Sequence, residues 1–199
     1  TTLLGVHGGR ARIDEDALLQ AIHLGGARTY EQDPKYPLRL LVDIAIRALS
    51  PAVNDPTTAV QALDQIEDLL RHLGRSDLDV GAVRDGRGMV RVVIPVPTWR
   101  DYLSLAFDEI RQYGSSSIQV LRRLRSSLVA LESAVATEER RQETRRYVRH
   151  LDIEVDTSDF DAQDRVLALQ QDRQGLGMAR AQTPASDAAG VAIALPPGK

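Results

Sequence analysis

From Pro56 to Leu73 the apolar residues Val60, Leu63, Ile66, Leu70 and Leu73 recur at steps of three and four, which puts them on one stripe of an α-helix. A stripe of that length has to be buried against another element. Just before it, Leu38 to Leu49 carries apolar residues at 38, 41, 44, 45 and 48, a second helical face, with Arg39, Asp43 and Arg47 spaced four apart on another side as a charge ladder. Between the two lies "SPAVNDP", Ser50 to Pro56, short enough to make the pair an antiparallel helix hairpin.

Downstream, the period changes and then returns. "LDVGAVRDGRGMVRVVIPVP", residues 78–97, alternates around Asp-Gly-Arg-Gly and reads as a β-hairpin whose second strand stops at Pro95 and Pro97. Because an isolated hairpin is marginal, a covering helix or partner strand is expected over it. Thr98 to Asp101 resembles a capping box with aspartate as its acid, and Trp99, Tyr102, Ala106, Ile110 and Tyr113 then keep one face up to Gly114. Leu121, Leu124, Leu128, Leu131 and Val135 form a bundle-type seam, Thr137 to about Asp156 is a charged helix, and Ser158 to about Gln174 a last one.

At the start of the chain, residues 1–13 read as the end of an upstream β element and "DEDALLQAIHLGG" as a short helix closed by Gly25 and Gly26. From 175 to 199, Ala, Pro and Gly accumulate without periodicity, which reads as a disordered tail. The expected fold is thus α+β but mostly α-helical, a helix hairpin and helical bundle with one β-hairpin, over residues 14–174.

Net charge is −3, with 25 basic and 28 acidic side chains, so no global field draws the protein to nucleic acid or anionic lipid. All the basic residues but Lys35 and Lys199 are arginine. The runs "LRRLR" and "RRQETRR" are interleaved with Glu138, Glu139 and Glu143 and read as intrahelical salt bridges; nucleic acid is not an expected partner. With no cysteine, disulfides, thiolate metal sites and cysteine nucleophiles are excluded. Asp64, Asp68 and His72 have a spacing that supports metal binding yet lack a further strong ligand, and they read as a solvated face. No serine elbow, phosphate loop or dinucleotide fingerprint occurs, and the sequence names no cofactor and no reaction.

The polar residues that stand out gather at helix ends. Asp55 before Pro56 is an N-cap candidate whose helix start offers the amides of Thr57 and Thr58 either to the Asp55 carboxylate or to a bound anion. Asn54 makes the turn, Ser50-Pro51 ends the previous helix, and the short corner brings Asp43, Arg47 and Ser50 beside the 54–58 loop. Gln32, Asp33 and Pro34 form a second such corner, where Asp33-Pro34 can cap the helix that follows and Pro37 can delay it. The two corners lie at opposite ends of the hairpin, roughly 20 Å apart at 1.5 Å per residue, so only a symmetric oligomer would set the Arg28-to-Asp33 segment of one subunit against the Asn54 loop of another.

The stretch from Gly25 to Asp64 resembles the bacterial predicted membrane proteins grouped as domain of unknown function 2254. The resemblance rests on Arg28, Thr29, Gln32 to Pro34, Leu41 to Ala45, Arg47 to Pro51, Asn54 to Pro56, Thr58 and Ala59, with Ala52 and Pro37 where glycine is usual. It implies that membrane-spanning helices precede residue 1 and that this chain, which opens "TTLLGVHGG" without methionine or signal-type segment, is the extramembrane part of a multi-pass inner-membrane protein. We expect it on the cytoplasmic side, as a homo-oligomeric assembly or ligand-sensing domain. A subunit-organising domain of a channel or transporter and a metal-assisted hydrolase using Asp43 and Asp55 are the alternatives.

Overall fold

A computed structural model describes residues 14–20 and 33–172. The readings that fall on residues 1–13, 21–32 and 173–199 lie outside the described residues, Arg28 and Gln32 among them. Seven helices and one two-stranded sheet are present among the described residues: α1 (Glu15–Gln20), α2 (Lys35–Ala48), α3 (Pro56–Arg75), β1 (Ala82–Arg84), β2 (Val90–Val93), α4 (Trp99–Tyr113), α5 (Ile118–Ala134), α6 (Glu138–Asp156) and α7 (Ala162–Leu169). This is the mostly helical α+β fold with a helix hairpin, a bundle and one β-hairpin that the periodicity predicts. None of these helices is long and apolar enough to cross a membrane.

Helix α2 packs on α3 and α4, α3 on α5, and α5 in turn on α6 and α7. The five predicted residues of α3 are all buried, as are the five of the 121–135 seam. The buried side of α2 is Leu38, Val42, Ala45 and Ala48, with Leu41 half-buried; Ile44, expected in the core, is 48% exposed. At about 100° per residue, Ile44 stands a full quarter-turn from Ala45, outside the arc shared by α3 and α4. Tyr113 is exposed too, because α4 reaches Gly114 there and the chain turns away toward α5.

Local chemistry sets the helix ends. At α4 the predicted capping box is formed: Thr98 Oγ1 accepts from the Asp101 amide at 3.2 Å, and Asp101 accepts from the Thr98 amide at 2.8 Å. Pro37 falls inside the first turn of α2 and causes no delay, since amides there lack intrahelical acceptors anyway. Helix α3 continues through Gly74 to Arg75. Its glycine serves packing: a Cβ there would lie 2.9 Å from Val135 Cγ1 and 3.2 Å from the Trp99 ring. The Trp99 indole N–H donates to buried Thr144 at 3.0 Å, which ties α4 to α6. Helix α7 is shorter than predicted, because Asp161 caps it and Gln170 leaves it in extended conformation.

The β-hairpin differs from everything around it. Ala82, Val83 and Arg84 pair antiparallel with Val93, Val92 and Val90, with a bulge between Val83 and Arg84. Asp85 Oδ1 accepts from the amides of Arg87 and Met89 at 2.9 and 3.0 Å, and Gly88 closes the turn at φ +80°. The cover expected over this hairpin is supplied by no described element: all seven strand residues are exposed, Val93 at 73%.

Candidate functional site

The α2–α3 corner is built almost entirely from hydrogen bonds that close on themselves. The amides of Val53 and Asn54 donate to the Ser50 carbonyl at 3.0 and 2.9 Å, and the Asp55 amide donates to the Ala48 carbonyl at 2.8 Å. These bonds need one residue in the left-handed region, and Asn54 supplies it at φ 47°, a conformation asparagine tolerates better than most residues. Ser50 Oγ donates to the Arg47 carbonyl at 2.8 Å, which satisfies a last-turn acceptor of α2.

Asp55 is the N-cap of α3 and Pro56 its first residue, as the sequence predicts. One carboxylate oxygen accepts from the Thr58 amide at 3.1 Å, the other from the Thr58 hydroxyl. The Thr58 hydroxyl and amide, helped by the Thr57 amide, hold the Asp55 carboxyl below its ordinary range despite some loss of hydration. Of the two partners open to the helix start, Asp55 therefore occupies the place an anion would take.

The other polar residues of the α2 ladder face elsewhere. Asp43 lies 2.6 Å from Arg39 Nη2, and Arg39 reaches across to Glu109 of α4, with Nη2 donating to Oε2 at 3.2 Å. Both carboxylates push the Arg39 guanidinium up, Glu109 most. Arg47 is exposed and makes no ion pair among the described residues. Asp33 Oδ1 accepts from the Lys35 amide at 3.0 Å at the far end of α2. The eight candidates among the described residues thus divide into Ser50, Asn54, Asp55, Thr57 and Thr58 at one corner, Asp33 at the other, Asp43 in an α2–α4 ion cluster, and Arg47 exposed on the last turn of α2. No hydrogen bond or ion pair among the described residues joins Asp43 or the Arg47 side chain to the 54–58 loop.

Periodicity alone missed a second polar system, centred on α5. Arg122 and Arg123 are each only 5% exposed, because α5 is surrounded by α3, α6 and α7 and buries residues right round its circumference. Arg123 donates to Asp64 Oδ1 at 2.6 Å and to Glu67 Oε2 at 2.8 Å, while the other oxygen of Glu67 accepts from Arg71 Nε at 2.8 Å. Asp64 is therefore an interhelical partner at the edge of the solvated face, its side chain 43% exposed, while Asp68 and His72 lie on that face. Arg125 donates to Asp152 at 2.8 Å, Arg145 to Glu132 at 2.8 Å, and Arg140 to the carbonyls of Gly74 and Ser76 at 3.0 and 2.8 Å. Of the runs read as intrahelical, only Arg141 with Glu138 and Arg146 with Glu143 behave so. A polar run flanked on both sides by buried leucines, "LRRLRSSL", was the available signal.

Among the described residues, no three His, Asp or Glu side chains converge as a metal-binding group. Asp43 and Asp55, the pair a metal-assisted hydrolase would use, are engaged separately, one by an arginine and one by its own helix start.

Three mycobacterial proteins are similar to this chain over 118 residues at 40% identity. They are Uncharacterized protein Mb1321c of Mycobacterium bovis and Uncharacterized proteins MT1328 and Rv1290c of Mycobacterium tuberculosis. The match takes in 59% of this chain and 22% of each relative, so the chain spans well under a third of their length. No solved structure matches. The pattern of domain of unknown function 2254, described as a predicted membrane protein, matches residues 1–130, the helix hairpin, the β-hairpin, α4 and most of α5, and the chain belongs to that family.

Proposed function

We propose that this region is an extramembrane assembly domain of a multi-pass bacterial inner-membrane protein, and that it associates with a second copy of itself through the β-hairpin. The observation that carries the reading is the uncovered sheet: Val83, Val90, Val92, Val93, Met89 and Ile94 are all exposed around two strands that no described helix covers. A two-stranded sheet with apolar residues on both faces is marginal alone and gains most by adding strands or a covering surface.

Self-association is favoured over a charged partner by the way the hairpin handles its own charges. Arg91 pairs with Asp85 at 2.8 Å and Arg84 donates to the Gly88 carbonyl at 3.0 Å, so two hairpins meeting around a two-fold axis bring mostly apolar surface together. The arginine runs, engaged with carboxylates and carbonyls, support a reading without nucleic acid. The membrane spans belong to the parts of the intact protein beyond this chain, with the domain on the cytoplasmic side.

Sedimentation velocity on the 199-residue chain tests the contact. The chain is expected to sediment as a dimer at about 50 μM, a range in which standard-sized interfaces hold. The double substitution Val92→Arg and Val93→Arg should give a monomer with unchanged helical circular dichroism. A wild-type monomer at that concentration, or a double variant that still dimerises, sinks the reading.

A further inference from the structure

We propose that the outer face of α2 is the seat for α1 of a second copy of this chain, with Arg47 taking the acidic first turn of α1 and Ile44 taking Leu19. The contact lies away from the β-hairpin and stands whether or not two hairpins meet.

The seat is an apolar stripe with one charge in it. Leu40, Ile44 and Arg47 recur at steps of four and three, so they line the side of α2 opposite Leu38, Val42 and Ala45. All three are exposed, because α2 packs on α3 and α4 with its other side and no described element covers this one. Arg39 and Asp43, toward α4, are turned to each other, and Arg39 also to Glu109. Arg47 is left as the charge of the stripe, without an ion pair among the described residues. A cation one turn from exposed leucine and isoleucine is matched by a carboxylate one turn from an exposed apolar side chain.

Helix α1 carries that pattern. Its first turn holds Glu15 and Asp16, and its last turn has no basic residue. Asp14 is spent on the helix start, where Oδ1 accepts from the Ala17 amide at 3.0 Å. Leu19 is 68% exposed, and Glu15, Asp16 and Gln20 are exposed with it. The spacings agree: Asp16 precedes Leu19 by three residues, and Ile44 precedes Arg47 by three. Two antiparallel helices therefore set Asp16 on Arg47 and Leu19 on Ile44 at once, each step being roughly 4.5 Å at 1.5 Å per residue. A parallel arrangement with Asp16 on Arg47 would put Leu19 beside Ser50 instead. One chain leaves α1 and the α2 face both uncovered, whereas two chains about a two-fold axis satisfy each other twice.

So short a helix covers little surface, so the contact is weaker than that of the hairpins and is tested at higher concentration. The chain has no cysteine, and single cysteines report a contact without background. Leu19→Cys and Ile44→Cys are placed in separate full-length chains, each also carrying Val92→Arg and Val93→Arg, then mixed at about 200 μM and mildly oxidised. The mixture is expected to give a disulfide-linked dimer about fivefold or more above either single-cysteine chain alone, since only facing residues reach disulfide geometry. Arg47→Glu in the Ile44→Cys chain should lower the yield about threefold or more, and adding Asp16→Arg to the Leu19→Cys chain should restore it. Because the hairpin substitutions are present throughout, failure of the hairpin contact leaves this result unchanged. A mixture that links no better than the single-cysteine chains overturns the proposal, as does a yield indifferent to Arg47→Glu. So does a chain bearing both cysteines whose disulfide forms within the chain and leaves no linked dimer at that concentration, since α1 would then belong to α2 of its own chain.

Discussion

The α2–α3 corner and the β-hairpin are both tight turns closed by an aspartate, and they end in opposite situations. At the corner, Asp55 binds Thr58, the backbone of residues 48–55 satisfies itself, and the two helices it joins bury Leu38, Val42, Leu63 and Ile66 completely. In the hairpin, Asp85 organises the turn equally well, through Arg87, Met89 and Arg91, yet every residue of the strands it joins stays exposed. Good local chemistry shapes a turn in both places. Only at the corner does tertiary packing make use of it, so the hairpin is where this chain still has surface to offer.

The comparison breaks first, if it breaks, in the bundle. Leu63→Ala is expected to cost about 2–5 kcal/mol in urea unfolding, the range for emptying a fully buried leucine site. Glu67→Ala should be nearly as severe, about 3 kcal/mol, because Arg123 would be left buried with only the more exposed Asp64. Costs below about 1 kcal/mol for both would mean that the bundle is not the stable half.

A smaller effect sharpens the role of the turns. The folded-state carboxyls of Asp55 and Asp85 are both held low, the first chiefly by the Thr58 hydroxyl, the second chiefly by the Arg87 amide. A depressed folded pKa contributes stability that is fully present above the unfolded value, about 4, and is lost as pH falls through the folded one. Below about pH 4, Tm should therefore drop, and Asp55→Asn, which keeps the cap but cannot titrate, should flatten part of that drop. Asp85→Asn should change the acid response of the hairpin amides while leaving the Tm profile of the bundle alone. If both substitutions shift Tm alike, the hairpin is coupled to the core.

The smallest effect belongs to the strands. In dilute protein Val92→Ala should alter unfolding free energy by less than about 0.5 kcal/mol, as an exposed substitution does. A cost of a buried valine would show that the face is already covered within one chain.

What could be read in the sequence follows the same division between local and tertiary causes. The Asp55-Pro56 start of α3, the Thr98–Asp101 capping box and the Asp85–Gly88 turn depend on neighbours within four residues, and all were legible. So was the 3.6-residue stripe of α3, which contacts the bundle on one side. Ile44 misled because an apolar residue at the edge of a stripe carries no mark of which neighbour will arrive. Arg123 misled for a stronger reason: glutamates on the next helix offer plausible partners nearby, while its true ones, Asp64 and Glu67, are more than fifty residues away. Of the candidate site, capping was legible, but the divergence of Asp43 toward Glu109 depended on where α4 would pack.

Hydrogen exchange of the Val90 to Val93 amides, measured on the wild-type chain across a hundredfold dilution, tests the central claim that a second copy covers the hairpin. Protection at high concentration that falls on dilution, with the α3 and α5 amides unchanged, is the predicted result. Fast exchange of the strand amides at every concentration would contradict it.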